Sequence, residues 1–206
     1  MWDYAAFIAG YAQSAISPFS HLLPWQFTTG SEDHVSLLFG ALGPEYRKIG
    51  NVAVHESARV EDGAVLKGPL IIGPGCFVAA GAYLRGGCWL EADNIIGPSC
   101  ELKSSFLFRG TKLAHFNFVG DSMLGAACNI EAGAIVANYC NEQADPKIAF
   151  WRNGQLLETY AMKFGVLAGD RLKIGANAVV APGAIFDPAT IIPRLALVDQ
   201  SDPAPR

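Results

Sequence analysis

The sequence predicts a mainly β protein: a parallel β-helix of hexapeptide repeats behind a short N-terminal helical segment. Three observations carry the prediction. Aliphatic residues recur every six positions from residue 54, small residues recur at a fixed place in each hexapeptide, and residues 1–50 follow a different rule.

Val54, Val60, Leu66, Ile72, Val78, Leu84, Leu90, Ile96 and Leu102 form the aliphatic row. A helix repeats near 3.6 residues and a strand at 2, so neither alone accounts for a period of six. Short strands joined by turns do, with one inward aliphatic on each side of a prism. Three hexapeptides then close one coil, and coils stack at the strand spacing of about 4.8 Å.

Four places after an inward aliphatic, a corner of the coil has room only for a small side chain. Ala58, Ala64, Cys76, Ala82, Cys88 and Cys100 fall there, as do Cys128 and Cys140 counted from Leu124 and Val136. Leu70, Asn94 and Phe106 depart from the rule. All five cysteines are therefore expected to be buried, unpaired corner fillers rather than a metal or redox cluster. Their odd number and lack of CxxC spacing suit reduced thiols and a cytoplasmic setting.

The register slips near Leu107 and Leu113 and resumes at Phe118, Leu124, Ile130 and Val136. It breaks after Tyr139 and returns at Ile174, Val180, Phe186 and Ile192. Between the last two blocks, two β-prone runs flank Asn153 and Gly154, a hairpin turn signal, so residues 140–163 are expected to leave the solenoid as an extruded loop. Long excursions of this kind commonly carry function or cover a neighbouring subunit.

Ahead of the repeat, "WDYAAFIAGYAQSAI" and "EDHVSLLFGALGPEY" read as helices separated by Pro18 and Pro24. A helical cap over the open edge of the first coil is their expected role. The opening stretch carries Asp3 and no basic leader, so it reads as a helix and not a signal peptide. The expected organisation is a cap over 1–50, a β-helix domain over 51–195 and a disordered tail over 196–206. A formal net charge of -4 argues against a nucleic-acid partner or an anionic membrane surface, and no run of eighteen apolar residues predicts a spanning helix.

Residues eighteen apart lie above one another in such a prism. Lys67, Arg85 and Lys103 have that spacing, each just after an inward aliphatic and so pointing outward. Like charges stacked about 5 Å apart repel, so either a bound anion or acidic neighbours such as Glu61, Glu91 and Glu101 compensate them. His115 lies in the irregular patch one coil on. A lone histidine is commonly structural, but Asn129 and Asn138 follow on later coils and the extruded loop begins directly after Asn138. A neutral imidazole with a pKa of about 6.5 suits removal of a proton from an ammonium nucleophile.

The stretches "LRGG" (84–87), "LKSS" (102–105), "HFNFVGD" (115–121) and "NIEAGAIVANY" (129–139) resemble a known family. It is the acetyltransferase domain of bifunctional UDP-N-acetylglucosamine pyrophosphorylase/glucosamine-1-phosphate acetyltransferase. "AMKFGVLAGDRLKIGANAVVAPGA" (161–184) is similar to archaeal sugar-1-phosphate nucleotidylyltransferases that end in such a domain. The resemblance covers roughly residues 52–192. It implies a left-handed β-helix, a homotrimer with active sites between subunits, acetyl-CoA as co-substrate, an amino sugar phosphate as acceptor, and no metal. It further implies His115 as general base, Arg85, Lys103 and Phe118 at the sugar phosphate, and Asn129 at the amino sugar. Asn138 would lie by the acetyl group, with the Tyr139 backbone as oxyanion donor. Ala132 would line the acetyl-CoA groove, and Ala176 would do so from a neighbouring chain.

The chain also departs from the family pattern. Phe118 replaces a tyrosine, Glu131 a glycine, and Cys140 with Asn141 an Asp-Gly pair, while the lysine expected soon after is missing unless Lys147 replaces it. No glycine-rich phosphate loop precedes the repeat, so no nucleotidyltransferase domain is expected within these residues. Two other readings remain open. One is a non-catalytic sugar-nucleotide-binding or assembly subunit. The other is a γ-type carbonic anhydrase, which needs three histidines around a metal, whereas His21 and His34 precede the repeat and His55 and His115 stand coils apart.

Overall fold

The computed structural model describes residues 2–202 and shows a three-sided parallel β-helix. The chain visits three sheets in turn, here faces A, B and C, beginning at Val52–His55, Arg59–Val60 and Val65–Leu66. Each face stacks seven parallel strands. Face A has one more, Tyr46–Ile49, which runs antiparallel to Val52–His55. The edge of face A at the first coil is thus blunted by a strand rather than by a helix.

The hexapeptide row lies inside. Val54, Ile72, Leu84, Leu90, Ile96, Leu102, Leu113, Ile130 and Val136 form one continuous buried cluster, and Cys76, Cys88, Cys100 and Cys128 join it from the corners. Burial pushes the thiols of Cys76 and Cys88 up to about 11 and that of Cys128 up to about 12, so they stay protonated and unreactive at neutral pH. Cys140 is buried and free as expected. It sits outside the prism, however, in a second cluster with Ile148 and Phe150. Asn94, an exception to the small-residue rule, is tolerated inside because its amide oxygen accepts the Thr111 N–H at 2.9 Å.

The slip near Leu107 has a simple cause. Leu84 pairs with Leu102 at an interval of 18, but Leu90 pairs with Leu107 and Leu102 with Val119 at 17. One residue is missing from the corner between faces C and A after Leu102, and again after Val119. Ser104 and Asp121 close these tight corners at φ 48° and 46°. The inward residue is therefore Val119, and Phe118 points outward, contrary to the expected register.

At its fifth passage through this corner, after Val136, the chain leaves the prism altogether. It returns so that Leu124 pairs with Ala168 and the ladder resumes in register. The excursion contains the predicted hairpin, Ala149–Arg152 against Gln155–Glu158, turning at Asn153 and Gly154 with φ 51° and 73°. It folds back on its own chain, where Phe150 and Phe164 are fully buried.

The N-terminal segment does not form the first helix predicted for it. Tyr4–Ala6, Tyr11–Gln13 and Ser17–Phe19 are 3-10 turns, followed by α1 (Pro24–Thr29) and α2 (Ser31–Gly40). The Tyr4 and Tyr11 rings stack at 4.5 Å, and their hydroxyls donate to the carbonyls of Leu22 and Ile16, so tertiary packing overrides helical propensity. Nor does the segment sit over the end of the prism. It lies along face A, whose outward row of Ile71, Trp89, Phe106, Met123, Leu167 and Ile185 is buried beneath it and the hairpin. The repeat also outlasts the expected boundary at 195, because Leu197–Val198 pairs with Val179–Val180 on face C. Gln200 then exchanges hydrogen bonds with Ile185, so residues 196–202 are not a disordered tail. Residues 203–206 lie outside the described residues.

Candidate functional site

All the sequence-predicted site residues except Asn129, which lies on face B, fall on face C or along its two edges. At the edge shared with face A, Arg85, Lys103, Phe118, Asn138, Tyr139 and Lys163 line an open cavity of about 500 Å³. Arg85 pairs with Lys103 across the ladder, as the eighteen-residue rule requires. The repulsion between them is relieved from within the chain. Arg85 Nε donates to Glu101 Oε1 at 2.8 Å, and Lys103 Nζ donates to both oxygens of Asp121 at 3.0 and 2.8 Å. Lys67 and Arg85 also lie over the Tyr83 ring, at 5.2 and 5.7 Å from its centre.

Asp121 ties the pocket together. Nearly buried, it accepts from Lys103 and from the Asn138 side-chain amide, and its own carbonyl accepts the Gly165 N–H at 2.9 Å. Gly120 makes this possible, since a Cβ there would lie 2.6 Å from Asn138 Nδ2 and 2.8 Å from Phe118 Cζ. Lys163 is the pocket's one cation without an ion pair among the described residues. Lys147, offered by the sequence as the replacement for the expected lysine, pairs with Asp145 at 3.0 Å and does not line this cavity.

The other edge, between faces B and C, carries His115, Ala132 and Ala176 in one column. The His115 carbonyl accepts the Gly133 N–H at 2.9 Å, and the Ala132 carbonyl accepts the Asn177 N–H at 3.0 Å. The His115 ring is exposed and makes no hydrogen bond among the described residues. Ala132 and Ala176 thus stack beneath His115 within a single chain. The Ala176 N–H is already held by Glu131 Oε2 at 2.8 Å. Arg194 grips the same carboxylate through two hydrogen bonds of 2.8 Å and holds it below the usual carboxylate range.

Asn129 is exposed on face B, between Lys112 and Lys173 on the ladder, and lines a separate groove with Glu131, Lys173 and Arg194. Within one chain neither Asn129 nor His115 lines the Arg85 cavity. Phe118 connects the edges. It stands on face C three residues after His115, so their Cα atoms are at most about 10 Å apart along the chain.

Glu101, one of the acidic neighbours the sequence offered to compensate the column, does pair with Arg85, whereas two residues of this region were not assigned a role from sequence: Asp121 and Lys163. Asp121 was within reach, because it closes the "HFNFVGD" stretch and follows Lys103 by eighteen places. Lys163 was not, since the excursion hides its position. Among the described residues no group of three His, Cys, Asp or Glu is placed to hold a metal ion, and no helix is long and apolar enough to cross a membrane.

Stacked hexapeptide coils with these residues along two corners define the class, a hexapeptide-repeat β-helix resembling sugar acetyltransferase domains. The particular relatives bear this out. The chain is 34% identical over 151 residues to the bifunctional protein GlmU of Methanococcus vannielii, a match covering 73% of this chain and 36% of that protein. It is 31% identical over 134 residues to a bifunctional sugar-1-phosphate nucleotidylyltransferase/acetyltransferase of Sulfurisphaera tokodaii, covering 65% of this chain and 33% of that one. The chain therefore spans about a third of the length of these curated relatives. No family model matches it. A solved structure of perosamine N-acetyltransferase from Caulobacter crescentus, bound to CoA and GDP-perosamine, aligns at 18% identity with a TM-score of 0.30, covering 71% of this chain and 51% of that one.

Proposed function

We propose that the chain transfers an acetyl group from acetyl-CoA to the amino group of a phosphorylated amino sugar. The carrying observation is the cationic pocket of Arg85, Lys103 and Lys163 on the same sheet face as Phe118, with His115 at the opposite edge. In this reading the phosphate is met by Arg85, Lys103 and Lys163, with Phe118 as an apolar wall, and Asn129 meets the sugar from a neighbouring copy. His115 removes a proton from the sugar ammonium, and the free amine then attacks the thioester carbonyl. Asn138 lies by the acetyl group and the Tyr139 backbone N–H faces the developing oxyanion. The intermediate collapses with loss of the CoA thiolate, which takes up a proton from the imidazolium, while the amide nitrogen releases its remaining extra proton to solvent. The backbones of Ala132 and Ala176 line the groove for the CoA arm, and no step requires a metal.

Since His115 and Asn129 lie apart from the Arg85 cavity in one chain, the reading places the complete site between copies. The faces free to receive them support this. Val65, Val179 and Leu197 on face C and Ile191 on face B are exposed, while the outward row of face A is covered. A homotrimer in the cytoplasm is the assembly we propose, to be checked by light scattering. Release of free thiol from acetyl-CoA, screened over amino sugars and their phosphates, tests the reaction. Turnover with a phosphorylated amino sugar is expected, and none with any acceptor overturns it. Binding of the same sugars without thiol release would instead support the non-catalytic reading.

A further inference from the structure

The pocket's wall is built on the two roots of the extruded excursion. Tyr139 stands where the chain leaves face C, and Lys163 stands just before it returns as Val166–Ala168. A loop of this length whose roots were free would sample many arrangements, and ordering it around a ligand would cost entropy each time. The roots here are not free. The residue after Lys163 is Phe164, which is fully buried and donates its N–H to the carbonyl of Asn138 at 3.1 Å. Its ring lies under α1, with the Trp25 ring edge-on to it at 5.9 Å and 68°. Trp25 also meets Phe150, from the middle of the excursion, edge-on at 6.0 Å and 77°. A single cap residue thus touches both the hairpin and the returning root.

Resting on the reading of this cavity as the acceptor pocket, we propose that Trp25 is a positioning residue. By clamping Phe150 and Phe164 it sets where Lys163, Tyr139 and the Asn138 carbonyl stand, although it touches no substrate itself. The N-terminal segment then does more than shield face A. It pre-organises the pocket some distance from its own position on the fold.

Trp25→Ala and Trp25→Phe, with Val35→Ala as a control, test this. Val35 is fully buried in α2, within the same outer cluster, and α2 packs against Leu70–Ile72 and Cys88–Leu90 of face A. Hydrogen exchange reads the clamp directly. Trp25→Ala should speed exchange of the Phe164 and Gly165 amides at least about tenfold over the wild type, and Trp25→Phe should restore most of the protection. Val35→Ala should leave those two amides near the wild-type rate. Steady-state kinetics read the consequence. Trp25→Ala should raise KM for the phosphorylated acceptor about tenfold as Lys163 shifts and lower kcat as the Tyr139 N–H shifts, with KM for acetyl-CoA changing less than either. Unaltered exchange in Trp25→Ala, or equal loss of protection in Val35→Ala, overturns the clamp. Faster exchange with an unchanged acceptor KM overturns its role at the pocket. If the wild type acetylates no amino sugar, the proposed function fails while the exchange rates still decide the clamp. Should Trp25→Ala not fold, Trp25→Leu is read in the same way.

Discussion

Faces A and C are built from the same hexapeptides, yet they differ in everything that points outward. On face A the outward row is Ile71, Trp89, Phe106, Met123, Leu167 and Ile185, all buried beneath the cap and the excursion. On face C the corresponding row is Val65, Tyr83, Glu101, Phe118, Ile135, Val179 and Leu197, each at least partly exposed. Inside the prism the two faces contribute alike to one core. The inward half of each hexapeptide therefore supplies stability. The outward half decides whether a face becomes a second core or a platform for chemistry.

The largest effect expected from this division is at His115. Replacing it with alanine should lower turnover by roughly 10²–10⁴-fold while the melting temperature stays within a degree or two, since the ring is exposed and unbonded. An active alanine variant ends its role as base.

The faces themselves can be set against each other with two phenylalanines. Phe106 is fully buried on face A, with the Phe27 ring 4.4 Å away, and Phe106→Ala should cost about 3–5 kcal/mol in denaturant unfolding. Phe118→Ala, on face C, should cost no more than about 1 kcal/mol and act on acceptor KM instead. Similar stability losses for both would erase the contrast.

The cations come next. Arg85→Ala and Lys163→Ala should each weaken a phosphorylated acceptor about tenfold and leave the unphosphorylated sugar nearly unaffected, as KM values would show. Lys103→Ala is a poorer probe, because it strands the nearly buried Asp121 carboxylate and so costs stability as well. Equal losses for both acceptors would mean that these charges serve the platform and not a phosphate.

The smallest effect belongs to the shared core. Burial raises the thiols of Cys76, Cys88 and Cys128 above their ordinary value of 9.0. Their contribution to stability is complete below pH 9 and is lost as pH rises toward 11–12, because the unfolded chain ionises first. Melting temperatures should fall by several degrees over that alkaline range, and less so in Cys128→Ala measured against its own value at pH 8. A flat profile would count against thiol burial.

How much of this was legible in the sequence follows from the same division. The inward aliphatics, the small corner residues and the Asn153 hairpin turn each obey a local rule and, Phe118 and Cys140 apart, stand where that rule put them. The one-residue deletions at Ser104 and Asp121 obey none, and with Phe118 and Val119 both apolar no pattern could say which turned inward. The covering of face A left a trace in its apolar outward row, every third hexapeptide, but cap and row meet only in three dimensions. Of the site, Arg85 and Lys103 came together as the spacing required, and Asn138 lines the same cavity. Lys163 was missed because it lies past the excursion, whereas Asp121, eighteen places after Lys103, was within reach of the spacing and went unused.

That corner between faces C and A has a consequence for how such a molecule changes over generations. It is shortened by one residue after Leu102 and again after Val119, and after Val136 it is opened to admit a whole hairpin, yet Leu124 still meets Ala168 in the ladder. Length there is decoupled from register, so insertions and deletions that would scramble a sheet elsewhere are nearly silent to folding. The same corner borders the cationic pocket. An indel in this one place can therefore rebuild the acceptor wall while the scaffold is inherited intact, which makes the corner a ready point for new specificities to be grafted, by natural drift or by design.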